Sequence, residues 1–111
     1  MTEAKTPKEF FEKMLPARFK PEKAAGIDVV AQLNLTGAKG GGDWVVIIKD
    51  QKLQVREGTT PLPTLTLKMT ENDFMDIVND KLSTEKAFFT GKLHFEGSLS
   101  LALKLRDAGI L

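Results

Sequence analysis

The sequence predicts an α+β fold in which helices lie on one face of an antiparallel sheet. Three observations carry this expectation. Stretches between Ile27 and Glu96 alternate apolar with polar residues at period two, as half-buried strands do. The first four of them follow one another with little but turn and loop residues between. Capping signals precede apolar residues at helical spacing, once at the N-terminus and again through the C-terminal half.

Taken in order, Thr6-Pro7-Lys8-Glu9 starts a helix: Thr6 caps, Glu9 reaches back, and Pro7 stands where its missing N–H costs nothing. Phe10, Phe11, Met14 and Leu15 form its apolar stripe. Pro16 is expected to break it, by removing a hydrogen bond and clashing with the preceding turn. Pro21 to Ala25 reads as a short second helix stopped by Gly26. Ile27, Val29, Ala31, Leu33 and Leu35 then share one face of a strand, with Asp28, Gln32, Asn34 and Thr36 on the polar face. The glycine-rich stretch Gly37 to Asp43 turns the chain into a second strand, Trp44 to Lys49, β-branched enough for a sheet centre.

Asp50-Gln51 makes a tight turn into a third strand carrying Leu53 and Val55. After the loop Thr59 to Pro63, Leu65, Leu67 and Met69 mark a fourth. Thr70 caps a helix from Glu71, with Phe74, Ile77 and Val78 at helical spacing. Ser83 starts a short helix that ends at Phe89 before Gly91, and Leu93 and Phe95 alternate with Lys92, His94 and Glu96 in a fifth strand. The stretch after Ser98 reads two ways. Leu99, Leu101, Leu103 and Leu105 alternate like a strand, yet Ser98 caps and the Leu, Ala and Lys content lacks β-branched residues, so a helix is expected.

Composition narrows the function. A length of 111 residues with 41% hydrophobic and 28% charged residues suits a single domain, read as spanning residues 1–111. With Lys+Arg 16 against Asp+Glu 15, nothing draws the chain to a polyanion, and nucleic acid is not expected as a partner. A cysteine count of 0 excludes thiol nucleophiles, disulfides and cysteine-ligated metals, and His94 is the lone imidazole. The longest apolar run, Trp44 to Ile48, is far too short to span a bilayer, and the N-terminus resembles no signal peptide; cytoplasmic residence is the expectation.

Three sets of residues invite chemistry and decline it. Gly37 and Gly42 have the spacing of P-loop glycines, but Asp43 replaces the lysine and a strand follows, so a hairpin loop is expected. Glu71, Asp73, Asp76 and Asp80 gather carboxylates on one helix without the glycine turn of a calcium loop, and read as a solvated face. Ser83, Ser98 and Ser100 lack a nucleophile context, and His94 alternates outward. The chain reads as a non-enzyme without cofactor or metal. What remains is a C-terminal half rich in Met, Phe and Leu, which either fills a core or lines a cavity; pattern alone favours core.

Phe88-Phe89-Thr90-Gly91-Lys92-Leu93-His94-Phe95-Glu96-Gly97, followed by Leu99 to Leu105, resembles the C-terminal block of the sterol carrier protein 2 family, where a Phe-Phe-x-Gly-Lys-Leu strand leads through Gly into a leucine-rich helix. Trp44-Val45-Val46 and Leu65-Thr66-Leu67-Lys68-Met69 with Asp73-Phe74 are similar to earlier elements of the same family. The resemblance implies a five-stranded, mostly antiparallel sheet covered by helices, with an apolar tunnel between the sheet and the C-terminal helices. It implies fatty acids, fatty acyl-CoA or sterols as ligands, bound by Phe74, Met75, Val78, Phe88, Phe89, Leu99, Ala102 and Leu103. Transient membrane contact and a monomeric or weakly dimeric state fit such a carrier. The chain departs from peroxisomal members in ending soon after its last helix, which implies a more open tunnel wall, and in carrying Glu85 and Thr90 where they tend to carry glutamine. The rival expectation is an accessory or dimerisation domain that supports a lipid-metabolising enzyme.

Overall fold

The computed structural model describes residues 5–37 and 42–107, the last three of these by backbone alone. The chain runs α1 (Pro7–Glu9), a π-helical turn (Phe10–Met14), α2 (Leu15–Arg18), a 3₁₀ turn (Pro21–Lys23), β1 (Val29–Thr36), β2 (Gly42–Lys49), β3 (Lys52–Glu57), β4 (Leu65–Thr70), α3 (Glu71–Val78), α4 (Thr84–Phe89), β5 (His94–Gly97) and α5 (Leu99–Asp107). Ala38 to Gly41 of the glycine-rich turn and the side chain of Leu105 lie outside the described residues.

Thr6 caps as its sequence implies, its Oγ1 accepting from the Glu9 N–H at 3.1 Å. Pro16, however, does not end the helix. The Leu15 N–H donates to Phe10 O across five residues, so the turn before Pro16 is widened and the proline falls in the first turn of α2. In a first helical turn the N–H that proline lacks has no i−4 partner within the same helix, so its cost is smallest there. The helix continues to Arg18 with Phe10, Phe11 and Leu15 buried.

The sheet order is β3-β2-β1-β4-β5. All pairs are antiparallel except β1 with β4, which are parallel and in register from Ala31 opposite Leu65 to Thr36 opposite Thr70. Asp50 and Gln51, with φ of 53° and 61°, close the two-residue β2–β3 hairpin in the left-handed conformation that matches strand twist. One face, Val29, Ala31, Leu33, Leu35, Trp44, Val46, Ile48, Leu65, Leu67 and Met69, joins Phe10, Phe11, Leu15, Phe74, Ile77, Val78 and Ala87 of the helices in the core.

The parallel pair requires the chain to leave the β3 edge and re-enter beyond β1. Residues 58–64 make that passage over the outer face, and they account for Gln32, which is 4% exposed despite its place on the polar face of β1. Gln32 Nε2 donates to Trp44 O and Gly58 O, both at 3.1 Å, and its Oε1 accepts the Thr60 N–H at 2.8 Å. The buried amide is fully engaged and ties the passage to the sheet. Thr64 completes the re-entry through paired bonds with the Val30 backbone.

Candidate functional site

An apolar cavity of about 190 Å³ lies between α4, α5 and the inner face of β4 and β5. Leu67, Leu93 and Phe95 form its sheet side, Thr84, Glu85, Phe88 and Phe89 come from α4, and Leu99, Ala102 and Leu103 from α5.

Local sequence explains each wall. Ser83 Oγ accepts the Lys86 N–H at 3.1 Å and starts α4 so that residues 84, 85, 88 and 89 fall on one arc. Ala87, fully buried on the opposite arc, is small enough to bring the helix close to the core. Thr90 Oγ1 donates back to Lys86 O at 2.7 Å, Gly91 takes φ of +80°, and the N–H groups of Lys92 and Leu93 both donate to Ala87 O. This compact stop tucks Leu93 under the helix and delivers Phe95 opposite Leu67.

Gly97 decides the exit from β5. A Cβ there would lie 2.8 Å from Thr64 O and 2.9 Å from Leu65 Cβ, at φ of +123°, so a side chain fits neither the space nor the conformation. The chain turns at once into α5, whose first turn is closed by Ser98 Oγ accepting the Leu101 N–H at 3.2 Å. Leu101 packs against the core, which aims Leu99, Ala102 and Leu103 at the cavity.

Of the eight side chains expected at a ligand site, Phe88, Phe89, Leu99, Ala102 and Leu103 line this cavity. Phe74, Met75 and Val78 do not. Phe74 is fully buried, 5.5 Å from the Phe10 ring and 5.3 Å from that of Phe11, and Val78 belongs to the same core, with Met75 half-buried against it. The N-terminal helix takes up the apolar stripe of α3, and Arg18 strengthens the contact: its Nη1 reaches Val78 O at 3.4 Å and its guanidinium lies over Phe10, 5.6 Å from the centroid.

Leu67, Leu93, Phe95 and Thr84, which the sequence does not mark as site residues, complete the lining together with Glu85, one of the two positions that depart from the peroxisomal members. The period-two alternation put the first three on the inner face, but alternation carries no information on which part of that face stays uncovered. The i, i+3, i+4 relation of Glu85 to Phe88 and Phe89 was a signal available for the helix. Thr84 and Glu85 are the polar side chains of a lining otherwise made of hydrocarbon. The mouth is open: Phe88 and Leu103 are each 43% exposed, Leu99 57% and Phe89 83%. His94 is exposed on the other side of the sheet, opposite Lys68.

The SCP-2 sterol transfer family matches residues 11–108. Sterol carrier protein 2 of Homo sapiens is 34% identical over 64 residues, which are 58% of this chain and 12% of the human protein, so the chain spans about an eighth of that relative. The crystal structure of sterol carrier protein 2 like 2 from Aedes aegypti superposes with a TM-score of 0.72 at 28% identity, over 90% of this chain and 94% of that one. The palmitated form of the same mosquito protein in solution gives 0.64 at 26% identity, over 86% and 91% of the two chains. The fold also recurs in the sec-alkylsulfatase Pisa1 from Pseudomonas sp., with a TM-score of 0.80 and 24% identity over 93% of this chain but 16% of the sulfatase.

Proposed function

The chain belongs to the SCP-2 sterol transfer family, and from that premise we propose that it takes the apolar part of a fatty acid, fatty acyl-CoA or sterol into the cavity beside α5 and carries or presents it within the cytoplasm. The observation that carries the reading is the lining: Phe88, Phe89, Leu93, Phe95, Leu99, Ala102, Leu103 and Leu67 surround an apolar space. Transfer of this kind needs no cofactor and no covalent step. Each methylene withdrawn from water contributes about 0.8 kcal/mol.

At about 190 Å³ the cavity holds about six methylene-sized groups, taking roughly 30 Å³ for a group the size of a water. Pockets that enclose a whole ligand run from about 300 Å³ upward. A long acyl chain therefore either extends through the open mouth or displaces α5, whose described anchor to the core is Leu101. The palmitate carried by the mosquito relative supports a single acyl chain as the ligand class.

Native mass spectrometry of protein purified from a bacterial host tests this directly: the expected result is co-purified lipid at about one per chain, displaced by added fatty acid. Binding at several independent sites, or no binding at micromolar protein, counts against a carrier. The recurrence of the fold as a small part of a sulfatase chain favours a second reading, an accessory or dimerisation domain beside a lipid-metabolising enzyme. That reading expects protein free of lipid and a stable complex or dimer.

A further inference from the structure

At β3 the sheet ends in an open edge. The Gly58 N–H donates to Asp43 O, and alternation along the antiparallel ladder then turns the backbone of Arg56, Gln54 and Lys52 toward β2. Leu53, Val55 and Glu57 therefore present their N–H and C=O groups away from the sheet. The opposite edge strand, β5, spans four residues and closes at Gly97, whereas β3 spans six.

The two faces of this edge differ in chemistry. On the inner face Leu53 and Val55, both half-buried, line a groove of about 470 Å³ together with Phe11, Glu12, Pro16 and Phe19 of the N-terminal helical segment. On the outer face Lys52 and Arg56 are exposed, and Lys49 stands directly opposite Lys52 across the hairpin. Like charges placed so are unfavourable, and among the described residues no carboxylate pairs with either ammonium. A charge pointing inward is one way that sheet edges are guarded; β3 instead points Leu53 and Val55 inward, beside an open groove. Its outward charges disfavour its own kind, since setting Leu53 of one copy opposite Val55 of another brings Lys52 opposite Arg56.

We propose that the β3 edge takes an extended acidic segment of a partner protein as a sixth strand. Partner side chains opposite Leu53 and Val55 are apolar and enter the groove. Those opposite Lys52 and Arg56 are carboxylates, and they supply the anion that the Lys49–Lys52 pair lacks. The motif recognised is thus acid, apolar, any residue, apolar, acid. Main-chain bonds to the outward groups of Leu53 and Val55 hold the strand, and the alternating side chains select it. The edge lies across the sheet from the cavity on β4 and β5, so this inference stands apart from the carrier reading.

The test is an NMR titration of the full chain with two capped peptide probes. One has the order glutamate, valine, threonine, valine, glutamate; the other carries lysines in place of the glutamates. The glutamate probe is expected to shift the amides of Leu53, Val55 and Glu57, to slow hydrogen exchange at Leu53 and Val55, and to bind about tenfold tighter than the lysine probe. Val55→Pro removes an N–H from the open edge and none from the β2–β3 ladder, and is expected to weaken the glutamate probe about fivefold. Lys52→Glu with Arg56→Glu leaves the backbone as it is and is expected to reverse the preference between the probes. No shifts at millimolar glutamate probe, equal affinity for the two probes, or shifts away from β3 overturn the inference, as does an unchanged preference in the charge-reversed variant. Concentration-dependent shifts at β3 without any probe assign the edge to a second copy of the chain and overturn it as well.

Discussion

Phe11 lies nearly flat against Trp44, ring centroids 4.7 Å apart and planes inclined by 22°. The contact joins the N-terminal helix to β2, and Phe74 stacks on Phe11 at 5.3 Å to bring in α3. Three elements distant in sequence thus share one aromatic stack, and the π-helical turn is what lets both Phe10 and Phe11 face it. Phe11→Ala is expected to cost ~3–5 kcal/mol, the transfer and cavity terms of a buried aromatic. Urea unfolding followed by emission of Trp44, the one tryptophan, reads the loss, and a change under about 1 kcal/mol would show that the stack does not support the fold.

Gly97 and Gly26 both have positive φ, but a Cβ at Gly26 meets nothing within 4 Å while one at Gly97 meets the Thr64 and Leu65 backbone. Gly26→Ala is expected to lose ~1 kcal/mol, the conformational penalty alone. Gly97→Ala should lose distinctly more, since backbone must shift. Thermal melts of the two variants side by side settle the order, and equal losses would mean that the β5 exit relaxes freely.

Gln32→Leu preserves volume and deprives the Thr60 N–H of its acceptor beneath the passage over the sheet. A cost of ~1–3 kcal/mol is expected. Amide exchange at Thr60 should accelerate more than at Val46, in the interior of β2; uniform acceleration would indicate general loosening instead.

Leu103→Trp and Leu99→Trp, made singly, separate a ligand cavity from a packed core. In a filled interior the added volume costs about 1–3 kcal/mol. At the open mouth of this cavity it is expected to leave the ligand-free melting temperature unchanged or raised. Wild type with ligand at about 100-fold over its dissociation constant gains ~2.7 kcal/mol, a shift on the order of 10 °C, and at least one tryptophan variant should lose most of it. Strong destabilisation by both, with no ligand shift in wild type, would place Leu99 and Leu103 in an ordinary core.

His94→Ala is expected to change stability by less than about 0.5 kcal/mol and to leave ligand affinity alone, because the imidazole is exposed on the face away from the cavity. A tenfold loss in a fatty-acid displacement titration would give the single histidine a role.

The sequence by itself determined whatever depends on neighbours within a few residues. Thr6, Thr70, Ser83 and Ser98 all cap the helices they precede, because capping joins a side chain to an N–H three residues away. Alternation assigned Leu65, Leu67 and Met69 to one face, and composition decided for a helix after Ser98 against a competing period-two pattern. The resemblance of the Phe88 to Gly97 block located the family. Only the tertiary structure decided what meets those faces. Phe74 and Val78 are apolar residues of a helix as Phe88 and Phe89 are, yet the first pair is sealed by the N-terminal helix while the second borders a cavity, because Phe10 and Phe11 meet α3 and, among the described residues, no element covers α4 in the same way. Gln32 is polar by pattern and buried by topology, since the parallel β1–β4 pairing sends the chain across the outer face above it. Pro16 is a breaker by its own chemistry and is accommodated by one widened turn. A residue's own periodicity specifies its face; the partner that arrives from elsewhere in the chain specifies whether that face becomes core, loop anchor or cavity wall.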